Sequence, residues 1–125
     1  MSDPIFKNPT TNALGLADVG VNANPTFVDI DGDGDLDAFI GNSAGNTLFY
    51  RNTGTVDNAE LTAAGTNPLG LSDVGFSASP TFADIDGDGD LDAFVGNSDG
   101  NTLFFRNNGT ALLAAFAALN TNPLV

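Results

Sequence analysis

The sequence predicts an all-β protein: a β-propeller built of four-stranded antiparallel blades, two blades per chain, with the ring completed by oligomerisation. Three observations lead there. Residues 11–55 recur as 66–110 at a fixed offset of 55. Within each copy, short runs rich in Phe and β-branched residues are separated by Gly, Asn and Asp, which is the composition of strands and turns. One such run, Leu48-Phe49-Tyr50, is apolar without interruption, so its strand is covered on both faces. A sheet buried on both faces and repeated every ~50 residues is a blade flanked by other blades.

The 125 residues make a single repeat domain, 1–125. Blade 1 takes 11–65, and blade 2 with the start of a third repeat takes 66–125. Thr11-Asn12-Ala13-Leu14, Thr66-Asn67-Pro68-Leu69 and Thr121-Asn122-Pro123-Leu124 mark the three starts. Differences between the copies are mild: Ile40 becomes Val95, Tyr50 becomes Phe105, Val28 becomes Ala83.

In chain order, Pro25 to Asp29 is the first strand and enters an acidic turn. Asp37 to Asn42 is the second. Ser43-Ala44-Gly45, and Ser98-Asp99-Gly100 in the copy, make a tight turn into the third strand, Asn46 to Asn52. The fourth strand is placed in Val56 to Ala64. Its counterpart, Ala111 to Leu119, is rich in Ala and Leu, which favour helix. The repeat frame overrides that propensity, because Phe6, Leu61 and Phe116 are equivalent. Strand is therefore expected there too. Leu69 to Gly75 links one blade to the next.

The chemistry lies in the acidic turn. Asp29-Ile30-Asp31-Gly32-Asp33-Gly34-Asp35-Leu36-Asp37 returns unchanged at Asp84 to Asp92. Carboxylates this close repel by ~1 kcal/mol per pair in water, and a hard cation removes that penalty. The spacing is D-x-D-x-D-G-x-x-D. Asp29, Asp31 and Asp33 supply oxygens from positions one, three and five. Gly34 makes the sharp turn with a positive φ. Asp35 offers its backbone carbonyl, and Asp37 closes the site. Asp84, Asp86, Asp88, Asp90 and Asp92 take the same roles. Calcium accepts about 6–8 oxygens at flexible geometry, whereas magnesium demands a stricter octahedron. About two Ca2+ per chain are expected. An EF-hand would need a bidentate Glu at position twelve; Ile40 and Val95 stand there. The flanks read as strands, so the loop is the tip of a β-hairpin.

Composition narrows the function. The formal net charge is −13, and ten of the 16 acidic residues lie in the two loops. The basic residues are Lys7, Arg51 and Arg106, too few for nucleic acid or an anionic membrane surface. There is no cysteine and hence no disulfide framework. No run approaches the ~18 apolar residues of a membrane span. The opening Met1-Ser2-Asp3-Pro4 lacks the pattern of a signal peptide. An extracellular or cell-surface location is expected if the chain is part of a longer exported protein, because weak calcium modules mostly work there.

Catalysis finds no support. Gly41-Asn42-Ser43-Ala44-Gly45 and Gly96-Asn97-Ser98-Asp99-Gly100 fit the G-x-S-x-G elbow of hydrolases. The chain has no histidine, so a Ser-His-acid triad cannot form. Paired carboxylates could serve a glycosidase, but their regular spacing suits a metal better. Sugar binding lacks its usual platforms, since there is no Trp and one Tyr. Arg51 and Arg106 recur at one position of each repeat and are expected to pair with aspartates between blades.

The segment Pro80-Thr81-Phe82-Ala83-Asp84-Ile85-Asp86-Gly87-Asp88-Gly89-Asp90-Leu91-Asp92-Ala93-Phe94-Val95-Gly96 resembles the core of the FG-GAP or VCBS repeat family. These are calcium-loop propeller repeats also found at the head of integrin α chains. The resemblance covers both repeats. It implies a propeller, calcium at the hairpin tips, and roles in adhesion or carbohydrate recognition. Propellers of the family usually carry about seven blades in one chain; this chain has two.

The function expected is therefore a calcium-binding module with a structural or adhesive role and no catalysis. Alternatives are a glycan-binding propeller, or a non-catalytic part of a larger secreted enzyme, so a glycan or protein ligand stays open. Two blades cannot close a ring, and near-identical repeats make every blade interface alike. A head-to-tail homo-oligomer of three or four chains is expected. Ile5-Phe6 or the segment Ala111 to Leu119 could cross to a neighbour as its outer strand.

Overall fold

The computed structural model describes residues 14–55, 58–109 and 114–121. They form two four-stranded antiparallel sheets, each a meander in chain order. The first holds β1 (Asn24–Val28), β2 (Asp37–Gly41), β3 (Thr47–Asn52) and β4 (Leu61–Thr66). The second holds β5 (Ser79–Ala83), β6 (Asp92–Gly96), β7 (Thr102–Asn107) and β8 (Phe116–Thr121). Each sheet is consistent with the propeller blade expected from the apolar runs, and the described residues form no closed ring.

Burial follows the sequence pattern. Every residue of β2 is buried, as its run Ala38-Phe39-Ile40 requires. In β3, Phe49 and Tyr50 are consecutive and both buried, because each face of the sheet packs on something. The outer strand β4 buries Leu61 and exposes the rest. A bulge between Phe49 and Tyr50 shifts the β3–β4 register, and one between Phe104 and Phe105 repeats it.

The fourth strand differs from expectation at its start. In blade 1 it runs from Leu61 to Thr66, later than the expected span of Val56 to Ala64, of which Val56 and Asp57 lie outside the described residues. The cause is the Asn52 side chain at the end of β3. Its Oδ1 accepts N–H groups of Gly54 (2.9 Å) and Glu60 (3.1 Å), while Thr53 N–H donates to the Glu60 carbonyl. Residues 53–55 and 58–60 are thereby held out of the sheet. Asn107 does the same for Gly109 and Ala115. Its strand, Phe116–Thr121, pairs with β7, so cross-strand pairing overrides the helix propensity of Ala and Leu there. Residues 111–113, Phe6 and the Ile5-Phe6 segment lie outside the described residues, as do 11–13 and 122–124 of the repeat starts.

The two blades share one core. Ile30, Phe39 and Phe49 of blade 1 pack with Leu71, Val74, Ala93, Val95, Phe105 and Phe116. Phe39 stacks on Phe49 with ring centres 4.5 Å apart and lies 4.4 Å from Phe82. Such pairs add about 0.5–1.5 kcal/mol each beyond area burial. Backbone bonds cross the seam as well: Val74 N–H to the Gly45 carbonyl (2.9 Å), Ser77 to Ser43 (3.0 Å) and Ala78 to Asn42 (2.9 Å). Each acidic loop joins the first two strands of its blade, so both loops stand at hairpin tips.

Candidate metal centre

The turn from β1 to β2 is shaped by its own aspartates. Asp29 Oδ1 accepts the Asp33 N–H at 3.1 Å, and its Oδ2 accepts the Gly34 N–H at 2.8 Å. Asp31 Oδ1 accepts the Asp33 N–H at 3.3 Å, and Asp33 Oδ1 accepts the Asp35 N–H at 2.9 Å. This winding needs left-handed backbone at Gly32 (φ 73°) and Gly34 (φ 91°), which is cheap for glycine alone. The second loop repeats the scheme around Asp84, with Asp88 N–H at 3.1 Å and Gly89 N–H at 2.9 Å. Gly87 and Gly89 have φ of 74° and 90°.

The closing aspartate comes from the other side of the hairpin. Asp37 opens β2 and is fully buried. Its Oδ2 accepts the Ile30 N–H at 3.3 Å, and its Oδ1 accepts the Asn52 N–H at 2.8 Å. Asp92 holds Ile85 at 3.3 Å and Asn107 at 2.9 Å in the same way. Each carboxylate oxygen keeps lone pairs beyond these bonds.

In the first loop, ligand oxygens of Asp29, Asp31 and Asp37 all lie within 4.8 Å of one another. In the second, those of Asp84, Asp86, Asp88 and Asp92 do. Two oxygens bound to one calcium at about 2.3–2.6 Å lie no more than about 5 Å apart, so both groups fit one ion. The structure brings Asp88 into its cluster and leaves its counterpart Asp33 out of the first. The side chains of Asp35 and Asp90 stand outside both clusters.

Electrostatics carries the same signature. Burial pushes the Asp37 carboxyl above its ordinary range, against the N–H bonds of Asn52 and Ile30, which lower it. Burial and then the charge of Asp37 raise Asp31. Partial desolvation and four neighbouring aspartates raise Asp90. The Asp35 N–H bond lowers Asp33. Crowded negative charge with few cations is what a divalent ion would relieve.

One positive group does reach each loop. Arg51 Nη1 contacts Asp31 Oδ2 at 2.5 Å, and Arg106 Nη1 contacts Asp86 Oδ2 at 2.6 Å. Both pairs lie within a blade, which corrects the expectation of pairing between blades. The reason is geometric: β3 runs antiparallel to β2, so its end lies beside the loop of its own blade. Each guanidinium also lies over a ring of its own strand, Phe49 at 5.4 Å and Phe104 at 5.7 Å. The roles of Asn52 and Asn107 were not anticipated. Their signal was available, since both end the third strand at one repeat position.

A family profile described as the FG-GAP-like repeat matches residues 29–95. The match starts at the first aspartate of the first loop and takes in the whole of the second. No curated protein and no solved structure matches the chain. Repeats of this family are usually non-catalytic modules. With more than half of its residues inside the match, and both loops and blades in the arrangement described, the chain belongs to the FG-GAP-like repeat family.

Proposed function

We propose that the chain is a calcium-binding, non-catalytic repeat module with a structural or adhesive role, holding about one Ca2+ in each acidic loop. The observation that carries this is the convergence of Asp84, Asp86, Asp88 and Asp92, with ligand atoms within 4.8 Å of one another, on a loop already wound by glycine. Asp29, Asp31 and Asp37 form the first site, with Asp33 turning in when an ion is present. The carbonyls of Asp35 and Asp90 complete the two shells. Oxygen-only donors at this density select a hard cation, and calcium, which accepts a less regular oxygen shell than magnesium, suits them better. The ion would tie the two ends of the hairpin together. Sites of this kind suit millimolar calcium, hence an extracellular setting.

The test is a thermal melt with calcium, with magnesium and with a chelator. A ligand that binds the folded state alone stabilises it by about 2.7 kcal/mol per site at a hundred times its Kd. Calcium should raise Tm well above the chelator value, and magnesium should do so less. Asp33→Ala should weaken the first site and Asp88→Ala the second, each visible as the loss of one binding event by calorimetry. A Tm indifferent to calcium and chelator alike would sink the proposal.

A further inference from the structure

The seam inside the chain shows what the chain's two outer faces are built to meet. At the seam, Ile30, Phe39 and Phe49 enter a cluster whose other members include Val74, Ala93, Val95, Phe105 and Phe116. Blade 1 carries the counterparts of those five in Val19, Ala38, Ile40, Tyr50 and Leu61, gathered into a second cluster. Nothing among the described residues fills the place of Ile30, Phe39 and Phe49 on it.

The consequence is an open apolar groove of about 220 Å³, lined by Leu14, Phe27, Leu36 and Leu61 among others. Leu14 is 59% exposed, Phe27 52% and Leu36 56%. Their counterparts Leu69, Phe82 and Leu91 pack against the shared core. Among the described residues, the opposite face of blade 2 is more open than its counterpart on blade 1. Ile30 is 3% exposed, whereas Ile85 is 50% exposed. Phe94 and Phe104 stack at 4.8 Å, as Phe39 and Phe49 stack at 4.5 Å.

Glycine marks the same surface. A Cβ on Gly41 would run into the Ala78 carbonyl of blade 2. Its counterpart Gly96 meets nothing closer than the Ser79 side chain at 3.8 Å. The space is kept where no neighbour stands among the described residues.

We propose that the blade 1 groove receives the Ile85–Phe94 face of a second copy of this chain, repeating the internal seam, and that the contact closes a ring of three or four chains. The occupant follows from continuity with the internal interface: the face that fills such a groove within the chain is the one left more open on blade 2 among the described residues. The contact is head-to-tail, so each added copy presents the same free face again, and growth stops only on closure. Two blades per chain give even totals, and propellers run from about four to eight blades. The proposal stands on packing and does not rest on the metal.

The test is mass in solution by light scattering at micromolar concentration, in calcium buffer with physiological salt. The wild type should weigh three or four times the 12.7 kDa chain. Phe27→Asp spoils the groove and Gly96→Ala spoils the opposite face. Each alone should run as a monomer with an unchanged circular dichroism spectrum. An equal mixture should form a 1:1 dimer that grows no further, because one sound contact remains possible between the two. A wild type that is a monomer or a self-limited dimer overturns the proposal, whatever the variants do. Variants that keep the assembled mass, or a folded mixture that stays monomeric, overturn it as well. A mass that climbs with concentration without a plateau upholds the contact and overturns the ring.

Discussion

The Asp37 carboxylate accepts the Asn52 backbone N–H at 2.8 Å, inside the blade and fully out of solvent. Its second oxygen takes the Ile30 N–H, so one side chain joins the loop, β2 and the end of β3. Asp37→Ala leaves two buried donors without a partner, each costing about 1–3 kcal/mol. Denaturant unfolding should show a loss of about 2–6 kcal/mol, and Asp92→Ala a loss of the same order. The loss should persist in chelator. A variant as stable as the wild type in metal-free buffer would assign Asp37 to the metal alone.

Arg51 holds Asp31 and would compete with a cation for its carboxylate. The arginine side chain is 42% exposed, so the ion pair itself contributes at most about 1 kcal/mol. Arg51→Met keeps an unbranched apolar side chain and removes the guanidinium that contacts Asp31 and the Phe49 ring. Calcium affinity of the first site should rise in calorimetry while metal-free stability changes little. A fall in affinity would show that the guanidinium orients Asp31 for the ion.

The response to pH should change sign with the metal. Asp31, Asp37 and Asp90 have folded values above the ordinary 3.8. A raised carboxyl gives stability that is full below that value and is lost as pH rises through the folded one. Asp33 is lowered and opposes them. Easing the repulsion within a net charge of −13 adds to the first effect. Metal-free protein should thus melt higher as pH drops from neutrality toward the ordinary carboxylate value of 3.8. In saturating calcium it should melt lower, because protons displace the ion. Melting curves that move together in both buffers would contradict the reading.

Gly70 sits where the linker touches the outer strand of blade 2. Its φ is +100°, and a Cβ would strike the Phe116 carbonyl. Gly15 stands in the same relation to Leu61, with φ +98°. Left-handed backbone costs an L-residue about 1–2 kcal/mol, and the overlap adds to it. Gly70→Ala and Gly15→Ala should each lose more than about 2 kcal/mol in urea unfolding. Gly89→Ala, with φ +90° and open space around it, should lose only the backbone part.

The sequence by itself determined what depends on near neighbours in the chain. Runs such as Ala38-Phe39-Ile40 lie where strands form, because apolar and β-branched residues suit a sheet covered on both faces. The loops were legible from alternate aspartates and from glycines at positions that take positive φ. Only the tertiary structure decided what depends on distant residues. The start of β4 at Leu61 is set by the Asn52 side chain across the loop. The partner of Arg51 is set by which loop the end of β3 faces. Ile30 and Ile85 occupy one position of two identical nine-residue loops, yet the first is buried and the second half exposed. No local pattern separates them; blade 2 packs on the face that holds Ile30, and the chain has no third blade among its described residues to pack on the other.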